Sequence, residues 1–575
     1  MGPLSERVRR YLTFVIGLIE CVGFVGVIYG WASLVFVLKE KGYFSDLCVP
    51  LHNNSDSGAR NGTMDCVLQD ERFTLIFTIS SFMVNFPTFS IGFLFDYFGT
   101  MVTRLVGMFL YTTATLMIAF STAESAVLLF PAFSLLAVGG KIFFITNIQV
   151  GNLFENKRST IITLYNGAFT SSAAVFLLVK VLYEAGLSLM SMFLFITCLS
   201  SILLLHTFFL LPRTRIPHPV PEGYSYGVSC AKFRLMSFCC EEQRVKETPP
   251  HHRGDRTQGE EGERREWTAG DRGEKQEETE QDRAERWEET KVTDCVNPQP
   301  SGSQDSEGNE EEIPSFRSCI SSKLFLFTLL WLSIIQLRDS LFIGTLNPTL
   351  TLLAKGDSGQ VSRLTNAFAC IQFCGIFCAP WNGLIMDRHK CRKKPTDAAS
   401  GSPDVITQHP RSRRLSRLQH LADMKSTVLS ISITTSVSVL FSICATIPVL
   451  EVQYLTFVLQ VISHSFLYGG YATFIAIAFR PCHFGKVFGL GQALSAVVSL
   501  FQYPCFVLVQ GPLRGNPLYL NIGFILLVAL SYAHPINVYL YCQRETQQRS
   551  MVQPSPVEVP WLGEQDDQAA NTTDA

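Results

Sequence analysis

Apolar runs of about 20 residues or more recur twelve times along the chain, at roughly 12–38, 73–95, 103–121, 125–150, 159–183, 187–211, 324–353, 364–386, 426–450, 452–479, 485–510 and 517–541. A run of that length crosses the hydrocarbon of a bilayer as a helix. The pattern predicts an all-α polytopic membrane protein with twelve transmembrane helices. The runs 426–450 and 452–479 nearly touch, so the boundary between them is the hardest to place. A long polar segment, 212–322, divides the twelve into two sets of six. The expected organisation is an N-terminus over 1–11, a six-helix half over 12–211, the segment 212–322, a second half over 323–541 and a tail over 542–575. The first run is too long for a signal h-region and predicts a span that stays in place.

Composition agrees with this pattern and adds one feature. Hydrophobic residues make up 47%, Phe numbers 44 and charged residues are 17%. The charge is unevenly placed. Between Glu241 and Glu312 stand about 23 acidic and about 11 basic residues. The net charge of −2 therefore averages two unlike regions. The insert has no apolar periodicity and cannot bury enough surface to offset chain entropy, which predicts disorder. Cys239 and Cys240 within it read as ordinary cytosolic thiols before they read as lipidation sites.

Lys and Arg in the short loops set the expected orientation. Loops after even-numbered runs carry Arg104, Lys157, Arg158 and the dense stretch from Arg388 to Lys425, which could also touch anionic lipid headgroups. Loops after odd-numbered runs carry almost none. Both termini are then cytoplasmic. The loop 39–72 has four bases but also outside markers: the glycosylation sequons at Asn53 and Asn61. Cys48 and Cys66 flank the sequons, and an oxidising exterior favours a disulfide between them.

Two motifs end apolar runs in the same way. Gly92, Asp96, Gly99 and Arg104 close the second run; Gly383, Asp387 and Arg388 close the eighth. Paired Gly-x-x-x-Asp hinges on two six-helix halves joined by a long loop resemble the major facilitator superfamily. The paired bases usual after the second glycine are replaced here by Thr100 and Met101. The superfamily pattern implies that these residues gate the cytoplasmic side. Asp96 would then face the start of helix eleven near Gly485 and Lys486, and Asp387 the start of helix five near Arg158 and Ser159. An aspartate there can accept the free N–H groups of a helix N-terminus.

A more specific resemblance runs through DERFTLIFTISSF, RSTIITLYNGAFTSS, FIGTLNPTL, APWNGLIMDR, VQYLTFVLQVISHSFLYGG and FGLGQALSAVVSLFQYP. These stretches look like solute carrier family 43 over nearly all twelve helices, excluding the insert and both tails. The branch they look most like implies sodium-independent, facilitative transport of purine nucleobases (adenine, guanine, hypoxanthine) across the plasma membrane, basolateral in polarised cells. Other members imply large neutral amino acids. A non-transporting regulator, of fatty-acid flux for example, is the reading from a different class. The partners expected are a small-molecule purine base and the lipid bilayer, with no nucleic acid and a monomeric protein.

Polar residues inside spans are costly unless they face water or a partner. Glu20, in the first helix, could accept from purine N–H groups, carry a proton or pair with a base elsewhere. Asn147, Gln149, Tyr165, Asn166, Gln336, Gln460, His464, Tyr468 and Gln492 are the further candidates for substrate contact. Amides, hydroxyls and rings suit a flat, weakly charged base. Arg338 and Asp339 are expected to pair with each other. A zwitterionic amino acid would instead favour a broken helix with bare backbone ends, which Gly23, Gly26 and Gly30 would permit. Cys370, Cys374 and Cys378 share a helix face with no histidine or carboxylate in step, so no metal is expected. No Walker loop, dinucleotide fingerprint or nucleophile elbow is present, so no cofactor and no enzymatic activity are expected.

Overall fold

A computed structural model describes residues 3–50, 64–154, 158–217, 220, 224, 226, 316–388, 409–479 and 483–551. The chain divides into two units, Met1–Gly227 with Glu312–Ala575, and Val228–Glu311. The second unit lies outside the described residues, as do the sequons at Asn53 and Asn61, Cys239 and Cys240, and most of 212–322.

The first unit is built of helices. In order they are α1 (Pro3–Glu20), α2 (Trp31–Glu40), α3 (Val67–Asn85), α4 (Thr88–Ala119), α5 (Leu129–Ile148), α6 (Arg158–Ser171), α7 (Ala174–Glu184) and α8 (Leu189–Phe209). The second half continues with α9 (Phe316–Ile320), α10 (Lys323–Gly344), α11 (Leu346–Leu353), α12 (Ser358–Phe373), α13 (Gly375–Asp387), α14 (His409–Cys444), α15 (Leu450–Ala478), α16 (Phe484–Ser499), α17 (Gln502–Gln510), α18 (Leu518–Leu530) and α19 (Ala533–Met551). Strands Val49–Pro50 and Met64–Asp65 pair antiparallel in the first long loop, where Cys48 and Cys66 form a disulfide.

Among the described residues ten helical runs are long and apolar enough to cross a membrane, or eleven if the bent pair at the N-terminus counts as one span. All twelve predicted runs fall on helix. The runs 73–95 and 103–121 lie within one stretch, Val67–Ala119, of 53 residues. Its backbone leaves helical geometry at Gly99, where φ is 77° and ψ is −174°. That conformation is open to glycine and strained for other residues. The touching runs near 450 separate between Cys444 and Leu450.

Polarity is inverted relative to a soluble protein. Large apolar side chains such as Phe109, Phe377, Trp381 and Leu526 face outward, while Thr115, Asn382, Ser438 and Gln460 are fully buried. Helices in lipid gain little from hiding leucines, so they associate through close packing and interhelical hydrogen bonds. The first span shows both. It bends by 47° between Val25 and Val27, through a π turn at Cys21–Val25 and a 3-10 turn at Val27–Gly30. Ser172 Oγ accepts from the Gly26 N–H at 2.8 Å and satisfies a donor freed by the break. Gly140 of α5 lies so close that a Cβ there would stand 2.2 Å from the Val25 carbonyl oxygen.

The halves meet along two seams. In one, α6 packs on the α12–α13 break: Ser171 Oγ donates to Phe373 O at 2.6 Å and accepts from Ile376 N at 2.9 Å. In the other, α3 and α4 pack on α16 and α17, with Gln502 Nε2 donating to Ser81 Oγ at 2.8 Å and Tyr503 bonded to Glu71. Lys180 Nζ of α7 adds bonds to Ser362 Oγ at 2.8 Å and Asn366 Oδ1 at 2.7 Å on α12.

Gly140→Ala should lower the thermal stability of detergent-solubilised protein by about 1–3 kcal/mol, because the new methyl meets backbone that cannot swing aside. Gly523→Ala, which meets nothing within 4 Å, should leave the melting curve in place. Equal melting of the two variants would contradict the close approach.

Candidate functional site

Three polar groupings lie inside the helical body, and the candidate residues are divided among them. The first is internal to the N-terminal half. Glu20 closes α1 where the span bends, and Arg104 projects from α4; both are fully buried. Arg104 Nη2 donates to both Glu20 oxygens at 2.8 Å. Its Nε reaches Thr207 Oγ1 at 2.8 Å, and Nη1 reaches Asn147 Oδ1 at 3.0 Å and Thr146 Oγ1 at 3.2 Å. Asn147 Nδ2 returns a bond to Glu20 Oε2 at 2.9 Å. His206 Nδ1 stands 2.7 Å from Glu20 Oε1 but out of hydrogen-bond alignment. The carboxylate and guanidinium thus compensate each other within α1, α4, α5 and α8. Tyr165 also ties to α1, donating to Phe14 O at 3.1 Å.

The second grouping surrounds Gly99. The chain leaving α8 crosses the α4 break: Met101 N donates to Arg213 O at 3.2 Å and Thr100 Oγ1 to Thr214 O at 2.9 Å. Gln149 Nε2 donates to Thr100 Oγ1 at 2.9 Å, while its Oε1 accepts from Ile216 N at 3.0 Å. Asn152 links Ile216 O to Arg158. Asp96 Oδ1 pairs with Arg215 Nη1 at 3.1 Å, in place of the expected helix-eleven terminus. The reason is local: the 213–216 segment, leaving α8, lies directly over the break at Gly99 and brings Arg215 to Asp96. Gly92 meets nothing at its Cβ position, and Gly383 lies against Thr163 of α6. The Asp387 side chain is outside the described residues, and Arg388 is exposed.

The third grouping lies between the halves. Tyr29, just past the bend, contacts the rings of Phe169 at 5.4 Å and His464 at 5.2 Å. Phe144 and Phe169 pack at 5.1 Å, and His464 and Tyr468 at 4.8 Å. Lys141 Nζ donates to Asn85 Oδ1 at 3.2 Å and stands over the Phe144 ring at 5.4 Å. From α10, Asp339 Oδ2 approaches His464 Nδ1 at 3.6 Å. Arg338 does not pair with Asp339 as expected. It lies over Phe441 at 5.1 Å and Phe524 at 5.6 Å, because neighbouring residues on a helix point about 100° apart.

Of the candidates, His464 and Tyr468 join this central cluster. Gln460, one helical turn before His464, and Gln492 are fully buried with no hydrogen-bond partner on either side-chain atom. Gln336 is held by Ser495 at 3.1 Å and Ser499 at 3.0 Å, and Asn166 bonds its own helix at Ile162 O. The list of candidates passed over Tyr29, Asn85, Lys141, Phe144 and Phe169, and considered Asp339 only as a partner for Arg338. Lys141 had a signal: it is a charge in the middle of an apolar run, directly after Gly139 and Gly140.

A lipid-facing apolar shell around a polar seam between two helical bodies is the build of a polytopic membrane carrier. No protein-family model matches the chain. It is 44% identical to "Equilibrative nucleobase transporter 1" of Bos taurus over 544 residues, 94% of this chain and 98% of that protein. It is 27% identical to "Large neutral amino acids transporter small subunit 3" of Mus musculus, over 95% of this chain and 96% of that protein. The human protein of the same name is 26% identical over 97% of this chain and 99% of that protein. The chain belongs to solute carrier family 43, the family of these membrane transporters.

Glu20→Gln should strand the Arg104 charge and destabilise the protein by about 3–5 kcal/mol, read as lost thermal stability. Glu20→Gln combined with Arg104→Met should recover much of that loss. A single variant as stable as the parent would show that the pair does not hold the half together.

Proposed function

We propose that the protein carries purine nucleobases down their gradient across the plasma membrane, without sodium, by alternating access. The name of the bovine relative supports the cargo. The observation that carries the reading is the cluster between the halves. Rings from Tyr29, Phe144, Phe169 and Tyr468 surround a small set of buried polar groups, which matches a flat base with polar edges. In this reading the 53-residue run Val67–Ala119 is two spans divided near Gly99, which with the bent first span makes twelve in a six-plus-six major facilitator arrangement. The termini are cytoplasmic, and the Cys48–Cys66 loop, with sequons at Asn53 and Asn61, is extracellular.

The roles of the site residues follow from their neighbours. His464, Tyr468, Gln460 and Gln492 contact substrate. Glu20, Asn147, Tyr165 and Gln336 hold helices in register. Gly99, Asp96 and Gln149 belong to a cytoplasmic clasp that stays with the N-terminal half, and Gly383, Asp387 and Arg388 form the corresponding end of α13. Tyr503 with Glu71, and Lys180 with Ser362, close the outer side.

A second cargo has one specific observation behind it. Lys141 on the N-terminal side and Asp339 on the C-terminal side bring opposite charges to the two faces of the seam, the kinds of group that the carboxylate and ammonium of an amino acid require. Against it, the broken first span offers no bare N–H at Gly26, because Ser172 takes it. Initial uptake of labelled adenine, guanine and leucine into cells lacking nucleobase transport separates these cargoes. Purine entry that is independent of sodium and not competed by leucine is expected. Leucine entry alone would move the assignment to amino acids, and no flux with protein at the surface would end the transport reading.

A further inference from the structure

Charge at the end of the bundle that carries the Cys48–Cys66 disulfide is distributed unequally between the halves. Lys39, at the end of α2, pairs with Asp70 at the start of α3 and also donates to Asn347 Oδ1 of α11 at 3.0 Å. Lys180 of α7 has Glu184 one turn on, at 3.8 Å, and donates across the seam to Asn366 Oδ1 and Ser362 Oγ of α12. Phe36, three residues before Lys39, lies under the Lys180 ammonium at 4.3 Å, so the two contacts are neighbours. Glu71, next to Asp70, accepts from the Tyr503 hydroxyl of α17. In each case the ionised group belongs to the N-terminal half, and its partner across the seam is a neutral amide or hydroxyl. Among the described residues no ion pair joins the two halves; each pair lies within one of them.

Resting on the transport reading above, we infer that the outer side is latched by charge-to-neutral contacts, so that it opens without separating an ion pair. When the seam parts, Asn347, Asn366, Ser362 and Tyr503 give up hydrogen bonds that water replaces. Lys39 keeps Asp70 and Lys180 keeps Glu184, because those carboxylates travel with them. An opposite charge on the C-terminal half would have to be pulled away instead, at a cost that rises as the site is shielded from water. A carrier that works down a gradient returns empty, with no ligand to drive the change, so its two arrangements must lie close in free energy. Keeping the charges of the outer seam on one half meets that condition.

The test places a charge across the seam. Asn366→Asp and Asn347→Asp hardly change side-chain shape, and each sets a carboxylate of the C-terminal half against a lysine of the N-terminal half. Opening is read at Ser81→Cys, a buried seam position that faces Gln502. The measurement is the rate at which a membrane-impermeant thiol reagent added outside modifies it, above the labelling of protein that keeps Ser81. Each new carboxylate should slow that labelling roughly fivefold, the upper effect of one partly exposed ion pair. Adenine uptake at matched surface protein, measured with Ser81 intact, should fall with it. Adding Lys180→Gln to Asn366→Asp should restore both. The two contacts are separate variants, so loss of one from the surface leaves the other to decide. Labelling and uptake unchanged by the new carboxylates overturn the inference and leave the transport reading standing. Labelling that they slow, in a protein that carries neither purine nor leucine, ends the transport reading and keeps the latch.

Discussion

Inside a bilayer a charged side chain has no water to fall back on, and the pairing of Glu20 with Arg104 is where this protein meets that constraint most completely. One guanidinium nitrogen holds both carboxylate oxygens, and the remaining guanidinium nitrogens go to Asn147, Thr146 and Thr207. Rotating α1 or α4 would strand a charge, and rotating α5 or α8 would take hydrogen-bond partners from the Arg104 guanidinium. The four helices are therefore fixed against each other as a body. The same pairing sits directly below the bend in the first span, so it also fixes where that span breaks. Ser172 and Gly140 then accept the bent backbone, one by a hydrogen bond and the other by the absence of a side chain.

The C-terminal half follows a different rule. Some of its polar groups are satisfied locally, as Gln336 is by Ser495 and Ser499, and Asn382 by Ser430 and Phe466 O. Asp339, His464, Gln460 and Gln492 are buried without hydrogen-bond partners. Such groups have a use when a ligand or water completes them. A rigid half that contributes rings and an ammonium, facing a half with unsatisfied acceptors and donors, gives a bound molecule leverage on the contact between them. That is the physical requirement for a carrier: binding must favour one arrangement of the halves over another.

At the opposite end from the disulfide, the hinge region is held mainly by backbone. Segment 213–216 lies across Gly99 and bonds Thr100, Met101 and Gln149. The ion pair of Asp96 with Arg215 there is solvent-exposed and contributes little by itself. The missing bases after Gly99 are consistent with that build. A neighbouring segment of chain, held by neutral hydrogen bonds, lies where the superfamily pattern would place paired bases.

Much of this was legible in the residues. The apolar runs all became helix, because twenty consecutive apolar side chains leave the chain no cheaper way to satisfy its backbone in lipid. Family membership was equally legible, since it rests on residue identity along nearly the whole length. Partners were not. Glu20 and Arg104 were assigned to a binding site and a gate because one lies mid-span and the other follows a hinge motif; only their placement shows that they face each other 84 residues apart. Arg338 and Asp339 are adjacent in sequence yet diverge around the helix. Tyr29 lies within an apolar stretch, yet it meets His464 of the second half in the centre, where Lys141 stands over the Phe144 and Phe169 rings. The sequence by itself determined which segments lie in the membrane, because that depends on the average of many side chains. The tertiary structure decided which polar groups are satisfied and which remain open, because that depends on the rotation of each helix about its own axis, set by all its neighbours at once.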